Sequence, residues 1–396
     1  MNSIKGDPEQ ARHINRSLIL NEVRRKDSMS RAELARALSI SKMTVSTIVS
    51  DLVEQGLIVE QSSDSGASGT GGRPPVLLSL ETREKLVVGI DIGTTNTVLL
   101  LGNLRGERLE QVRVPTRRHR AAESIADQIH DLLSEFLHET NTSREKIVGV
   151  GVSVAGLVDK RRGFVKFSPD FNWRDVHFRR LLEQRLRLPV VINNCTRVAA
   201  LGEMWYGAAR DVATFFYVNV GYGIGSAIVI DQKIYEHNSE FGHIPVTTRP
   251  VRCECGKEGC LEAVSSGHAI EREANVRQLN MTESWLSAKE LAEKAVSGDQ
   301  VAHKIFDDAG KYLGRGIATV ANLLSPQLVV VGGGVSLSEG LLMKPLMQEF
   351  DLHTMEAIRD LTEVVVSPLG MDAGIVGAMA LALDNFVFQP SAIAIG

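Results

Sequence analysis

Three of the four cysteines in this 396-residue chain lie close together, at Cys253, Cys255 and Cys260, and His243 precedes them. Three thiolates and one imidazole form a tetrahedral donor set that suits Zn²⁺, and four protein ligands are typical of a structural site. Ordinary thiols or a disulfide are the alternative, but short cysteine spacings in a chain without a secretion signal favour a metal. The sequence therefore predicts one Zn²⁺ per chain.

Two glutamates flank this predicted metal loop, Glu240 before it and Glu262 after it. A rigid metal-bound loop would hold both carboxylates in place around a polyol. The pattern E-x-G-H, then C-x-C-G-x-x-G-C-x-E, closely resembles the signature of the ROK family of repressors, open reading frames and sugar kinases. In that family the two glutamates and the zinc-bound histidine contact sugar hydroxyls, so the resemblance implies sugar contacts for Glu240, His243 and Glu262. It extends from about residue 85 to the end of the sequence.

A kinase of this family needs an aspartate that accepts the proton of the sugar hydroxyl, and it follows an asparagine in a V-E-N-D-A-N stretch. The matching residues 191–196 read V-I-N-N-C-T, so Asn194 takes the place of the aspartate. A carboxamide can hydrogen-bond a hydroxyl but cannot act as a base near neutral pH. We therefore expect Asn193 and Asn194 to bind sugar, and we expect no catalytic residue.

The segment S-P-D-F-N-W at residues 168–173 resembles the family loop that covers the sugar. Asp170 replaces the asparagine of that loop, and the resemblance makes it a further candidate for sugar binding. Trp173 is interpreted as a core residue rather than as a ring that stacks on sugar.

Glycine-rich turns follow predicted strands at residues 91–95, 221–226 and 332–334. Strand, glycine turn and strand are the entry to the actin-like ATPase fold, where such turns wrap phosphate. Compared with the family pattern, Thr94 and Asn96 replace a glycine and a lysine at the first turn, and Tyr222 replaces a small hydroxyl residue at the second. We interpret the remaining glycines as scaffold turns, which argues against ATP chemistry.

The first eighty residues carry the pattern of a winged helix-turn-helix. Apolar spacing predicts helices over about residues 10–26, 30–38 and 41–55, followed by wing strands at 58–60 and 76–80. The third helix would read DNA, because its first turn can reach base edges and phosphates. The candidate DNA contacts at this turn and at the wing tip are Ser41, Lys42, Met43, Thr44, Ser46, Thr47 and Arg73. A helical interaction domain without a DNA role is the alternative.

Charge places any DNA contact in this head. Residues 1–50 contain nine Lys or Arg against five Asp or Glu, a local charge of +4 in a chain of net charge −4. The apolar fraction of 43% and the charged fraction of 23% are ordinary for a globular protein. We found no apolar run of membrane-spanning length and no signal peptide, so we expect a cytoplasmic protein without a membrane span.

The expected fold class is α/β, with a winged helix-turn-helix before a duplicated actin-like ATPase (ribonuclease H-like) body that contains the zinc loop. We expect a DNA-binding domain at residues 1–80 and a first lobe at 85–194, completed by the C-terminal helix 373–385. A second lobe at 195–372 would hold the zinc motif, the sugar-binding residues and the dimerisation surface.

These patterns together predict a sugar-responsive transcriptional regulator, most simply a repressor that a sugar releases from operator DNA. The resemblance implies a homodimer or tetramer, a transport-protein partner in some members, and xylose, glucose or N-acetylglucosamine derivatives as effectors, with xylose favoured. A sugar kinase with a fused DNA-binding head is the alternative, and Asn194 weighs against it. A sugar-binding scaffold with no DNA role is a third option.

Overall fold

The computed structural model describes residues 8–62, 76–237, 239–277 and 285–389. The chain divides into two compact units: one runs to Asn193 and includes the C-terminal residues from Ala378, and the other is Asn194–Gly377. Arg73 and the rest of the predicted wing tip lie outside the described residues.

The head in the first unit is a winged helix-turn-helix, as predicted. Its elements are α1 (Pro8–Lys26), β1 (Met29–Ser30), α2 (Arg31–Ala37), α3 (Lys42–Glu54), β2 (Ile58–Ser62) and β3 (Val76–Leu80). Ser30 and Glu33 form a reciprocal capping box at α2, and the Ser41 hydroxyl accepts the Thr44 amide at the start of α3. β2 pairs antiparallel with β3, and β1 adds a third strand that is too short to give a sequence signal.

One face of α3 is fixed by the apolar core of the head. Val45, Ile48, Val49 and Leu52 recur at helical spacing and are at most 3% exposed. Burying each such side chain contributes about 1.5–3 kcal/mol. The opposite face, which begins with Lys42 and Met43, is therefore held towards solvent.

The rest of the first unit is a mixed α/β lobe. Its elements are β4 (Leu86–Ile92), β5 (Asn96–Asn103), β6 (Arg108–Pro115), α4 (Ala122–Glu139), β7 (Ile147–Val154), β8 (Leu157–Asp159), β9 (Phe164–Ser168), β10 (Trp173–Val176), α5 (Phe178–Leu186) and β11 (Val190–Asn194). The main sheet has the order β11-β7-β4-β5-β6, and a small sheet has the order β10-β9-β8. β4 runs antiparallel to β5 and parallel to β7. Trp173 is buried, and its indole N–H donates to the Arg120 carbonyl at 2.6 Å, consistent with the expected core role.

The second unit repeats the plan of a five-stranded sheet with helices. Its elements are α6 (Cys195–Tyr206), β12 (Phe215–Val220), β13 (Ile224–Ile230), β14 (Lys233–Ile234), α7 (Glu262–Ser265), α8 (Gly267–Val276), α9 (Ala288–Val296), α10 (Gln300–Leu324), β15 (Leu328–Gly332), α11 (Met343–His353), α12 (Glu356–Arg359) and β16 (Glu363–Val366). The sheet order is β14-β13-β12-β15-β16, with β12 antiparallel to β13 and parallel to β15. Short 3-10 turns occur at Arg144–Lys146 in the first unit and at Phe241–His243, Gly334–Leu337, Glu339–Leu341 and Gly370–Asp372 in the second.

The last helix, α13 (Ala373–Leu383), continues as a π-helical turn over Asp384–Phe388. Within the described residues, Gly370–Phe388 is the one helical segment apolar and long enough to cross a membrane, and 67% of it is buried inside the protein. The backbone of Ala378 and Ala382 lies against Gly151 of β7. These contacts identify the part of the helix from Ala378 onwards as a core helix of the first unit.

Candidate metal centre, sugar site and nucleic-acid interface

The four predicted metal ligands converge in the second unit. Cys253 Sγ lies 3.7 Å from His243 Nδ1, and Cys255 Sγ lies 3.6 Å from Cys260 Sγ. All four donor atoms lie within 4.8 Å of one another. Tetrahedral Zn–S and Zn–N bonds place their donors roughly 3.5–3.8 Å apart, whereas a disulfide holds its sulfur atoms about 2.05 Å apart. The residues therefore fit a metal ion and not a disulfide.

Burial and neighbouring groups shift the pKa values of the three thiols in different directions. Burial raises the pKa of Cys253, and burial with the neighbouring Cys255 thiol raises the pKa of Cys260 to about 12. The backbone N–H of Lys257 lowers the pKa of Cys255. Because thiolates are the metal ligands, a bound cation would hold the three sulfurs in the charged form near neutral pH.

Local backbone structure brings these ligands together. His243 ends the 3-10 turn Phe241–His243, and a bridge between Pro245 and Cys260 returns the chain to it. Gly256 and Gly259 both have positive φ, which allows tight turns between the cysteines.

Glu262 lies directly beside the metal cluster. Its Oε1 is 4.0 Å from His243 Nδ1, and its Oε2 accepts the Ile224 backbone N–H at 2.8 Å. A Cβ atom at Gly223 would lie 2.5 Å from Glu262 Oε2. The second glycine turn is therefore more than a scaffold turn, because the absence of a side chain at Gly223 lets the carboxylate reach the Ile224 amide.

Glu240 and Arg197 form a second charged group in this unit. Glu240 precedes the 3-10 turn and accepts the His243 amide through its backbone carbonyl at 3.0 Å. Arg197 is 5% exposed; burial lowers its pKa, while the carboxylates of Glu236 and Glu240 act in the opposite direction. Sequence reasoning missed Arg197, although an arginine in the alanine-rich start of α6 was an available signal.

Asn194 caps the helix α6. Its side-chain oxygen accepts the amides of Thr196 at 3.0 Å and Arg197 at 3.2 Å. The oxygen at the position of the kinase aspartate therefore serves the first turn of a helix.

Two predicted sugar-binding residues belong to the first unit. Asn193 is buried at the end of β11, and Asp170 is exposed in the turn before β10. Arg120 Nη1 donates to the Asp170 carbonyl at 2.6 Å, and Nη2 donates to the Thr94 carbonyl at 3.2 Å. Arg120 thus connects this turn to the first glycine turn, a link that the sequence did not reveal.

The first and second glycine turns each place a polar side chain against a neighbour. At the first turn, Asp91 is half-buried and accepts from the Ser153 hydroxyl at 2.6 Å, and desolvation raises its pKa. At the second turn, the Tyr222 ring is 63% exposed and lies 4.9 Å from the His268 imidazole.

The recognition helix α3 presents the predicted DNA contacts on an outward face. Lys42, Met43, Ser46 and Thr47 are exposed, Met43 at 80%. Arg31 donates to the Ser46 hydroxyl at 2.8 Å and to Glu60 of β2 at 2.9 Å. Arg31 therefore fixes α3 against the wing strands, and sequence reasoning missed it because its partners are distant in sequence.

Comparison with known proteins agrees with this architecture. The ROK family profile matches residues 87–385, and the MarR family profile matches residues 14–67. A putative xylose repressor from Caldicellulosiruptor sp. (strain Rt8B.4) is 30% identical over 97% of this chain and 99% of its own length. A glucokinase from Halalkalibacterium halodurans is 32% identical over 74% of this chain and 94% of its own length. The structure of a ROK family transcriptional regulator, a homologue of the Escherichia coli MLC protein, superposes with a TM-score of 0.85 at 23% identity, covering 97% of this chain and 99% of that chain.

The chain belongs to the ROK family. The repressor relative shares both head and body, whereas the glucokinase aligns with about the length of the body. Within the family, this protein is a sugar-responsive transcriptional regulator with a winged helix-turn-helix head.

Proposed function

We propose that this protein is a repressor whose kinase-like body senses a sugar and does not phosphorylate it. Asn194 carries the proposal, because its side-chain oxygen caps α6 where a kinase needs a carboxylate base. The head supplies operator binding through Ser41, Lys42, Met43, Thr44, Ser46 and Thr47. The resemblance of the full chain to a putative xylose repressor makes xylose the favoured effector.

The proposed mechanism is a population shift between two states that differ in operator affinity. Glu240, His243 and Glu262, together with Asn193, Asn194 and Asp170, would bind the sugar hydroxyls. A sugar that binds the state of low operator affinity more tightly moves the equilibrium towards that state. By linkage, sugar and operator DNA then lower each other's affinity by the same factor. We further propose a cytoplasmic homodimer or tetramer, since two heads would match a palindromic operator.

We propose Zn²⁺ as the resident metal, held by His243, Cys253, Cys255 and Cys260. Zinc bound to four protein ligands has no open position for a substrate, so its role is to stabilise the loop that begins and ends beside the sugar-site glutamates.

Metal analysis tests this assignment. Purified protein should contain about one zinc ion per chain, and Cys255→Ser should lower that content and weaken the sugar response, because Glu262 loses its neighbouring support. Cys195→Ser, which changes the one cysteine outside the cluster, should keep the zinc. Folded wild-type protein without metal would contradict the assignment.

Gly223→Ala should weaken sugar binding, because the new methyl group would collide with the Glu262 carboxylate. A loss of about 10-fold corresponds to about 1.4 kcal/mol. Gly221→Ala is the matched control in the same turn, since its Cβ would meet only the Asn219 side chain at an ordinary 3.5 Å. Sugar-induced shifts of the melting temperature measure both variants, and equal behaviour would contradict the role given to Gly223.

Sugar phosphorylation should be undetectable. A coupled ADP-release assay with ATP, Mg²⁺ and D-xylose, D-glucose or N-acetyl-D-glucosamine should give no sugar-dependent turnover. Asn194→Asp should also stay inactive, since Thr94, Asn96 and Tyr222 still alter the phosphate turns. The glucokinase relative, assayed in parallel, is the positive control, and robust turnover by this protein would favour the kinase alternative.

A further inference from the structure

The π-helical turn Asp384–Phe388 is bonded to the DNA-binding head. The last carbonyls of a helix have no partner within that helix. At the end of the π-helical turn, Val387 O accepts from Arg16 Nη1 at 3.3 Å and Phe388 O accepts from the Ser17 hydroxyl. The Arg24 guanidinium also lies over the Phe388 ring, 5.3 Å from its centroid. Helix α1 of the head therefore contacts the C-terminal turn through three residues, Arg16, Ser17 and Arg24.

Arg16 connects this contact to the recognition helix. Its Nη2 donates to Gln55 Oε1 at 3.1 Å, and Gln55 is the C-cap residue of α3. One planar guanidinium with its donors in a fixed fork thus holds the end of the recognition helix and the π-helical turn at once. Burial lowers the pKa of Arg16, which is consistent with a site enclosed by these elements.

The C-terminal turn is also fixed to the sheet of the first unit. The Phe386 ring occupies the space over Gly149 of β7, where a Cβ atom would lie 2.1 Å from the ring. Met379 lies against Gly102 of β5 in the same way. The C-terminal turn therefore contacts both the sheet of the first unit and the head.

Helix α13, which leads to this turn, begins in the other unit. Residues 373–377 of α13 belong to the unit that contains the metal cluster and Glu262, and its residues from Ala378 belong to the unit of the head. In the second unit, Gly377 packs against the backbone of Val198 in α6, the helix that Asn194 caps. Helix α13 therefore runs from one unit into the other without a break in its helical structure.

We propose that Arg16, supported by Ser17, is the joint that transmits the sugar-bound state through α13 to the recognition helix. Arg16 is a positioning residue in this role and contacts neither sugar nor DNA. The inference rests on the proposed function and assigns its regulation to named residues. π-helical turns within α-helices occur frequently at functional sites, in keeping with this role.

Arg16→Gln in the full-length protein tests the joint, and Arg12→Gln is the matched control. Arg12 lies one turn earlier on α1 and pairs with Asp51 of α3, and the described bonds to Val387 and Phe388 do not include it. Operator affinity is measured with and without D-xylose, D-glucose or N-acetyl-D-glucosamine. In Arg16→Gln, sugar should change the operator affinity by less than twofold. In Arg12→Gln, the sugar-dependent change in operator affinity should equal that of the wild type. An equal response in the two variants would overturn the proposal.

Reciprocity gives a readout that needs no sugar. Binding of duplex DNA from upstream of the gene should slow amide hydrogen exchange of residues 373–389 at least tenfold in the wild type and Arg12→Gln, but not in Arg16→Gln. Ser17→Ala, a smaller change, should give a slowing of exchange between those of the wild type and Arg16→Gln. It replaces Arg16→Gln as the test variant if Arg16→Gln unfolds at a much lower temperature than the wild type. A wild type that binds DNA but responds to no sugar would contradict the proposed function alone. Unchanged exchange at residues 373–389 on DNA binding would refute the joint itself.

Discussion

The double variant Lys42→Glu, Thr44→Glu should lose operator affinity by about 100-fold or more, corresponding to about 2.7 kcal/mol. Both positions lie in the first turn of α3, where a carboxylate would repel DNA phosphates. Folding should be preserved, because glutamate at position 44 completes a capping box with Ser41. Fluorescence anisotropy with labelled operator DNA, together with a thermal melt, measures both properties.

The control for this variant changes the net charge by the same amount elsewhere. Lys289→Glu with Gln300→Glu lies at exposed positions of the second unit and also adds three negative charges. Operator affinity of this control should remain close to the wild type. Equal losses in the two double variants would mean that overall charge, not the first turn of α3, determines DNA binding.

Glu262→Gln should leave operator binding intact and should abolish release by sugar. Hydrogen bonds to a charged group contribute about 1.5–3 kcal/mol, and loss of two such bonds to a sugar diol would weaken binding by about 100-fold or more. Glutamine can still accept the Ile224 amide, so the local fold should persist. Calorimetric titration with sugar and anisotropy with operator DNA give the two quantities.

Glu258→Gln is the matched control for this change. Glu258 is an exposed carboxylate of the same loop, between Cys255 and Cys260, and it faces Arg252 across a backbone bridge. Its neutralisation should alter neither sugar affinity nor operator release. If Glu262→Gln is still released from operator DNA by sugar, Glu262 is not a sugar-binding residue.

The features that the sequence predicted well depend on near neighbours along the chain. The metal cluster involves residues only a few positions apart after His243. Hydrophobic periodicity was sufficient for α3, because it buries one continuous face.

The features that were missed depend on contacts between distant residues. Arg31 meets Glu60, and Gly223 makes room for Glu262, yet neither pair has a spacing that a sequence pattern describes. The bonds of Arg16 and Ser17 to Val387 and Phe388 each span 371 residues. The two-residue strand β1 exists only because β3 offers it a partner.

Sugar-dependent release of operator DNA is the most direct test of the account. Full-length protein is bound to a fluorescent duplex from upstream of its gene, and D-xylose, D-glucose and N-acetyl-D-glucosamine are titrated in without ATP. We predict that one of these sugars returns the anisotropy to that of unbound DNA at millimolar concentration. Anisotropy that no sugar changes, together with sugar-dependent ADP release when ATP is added, would contradict the account and establish a kinase.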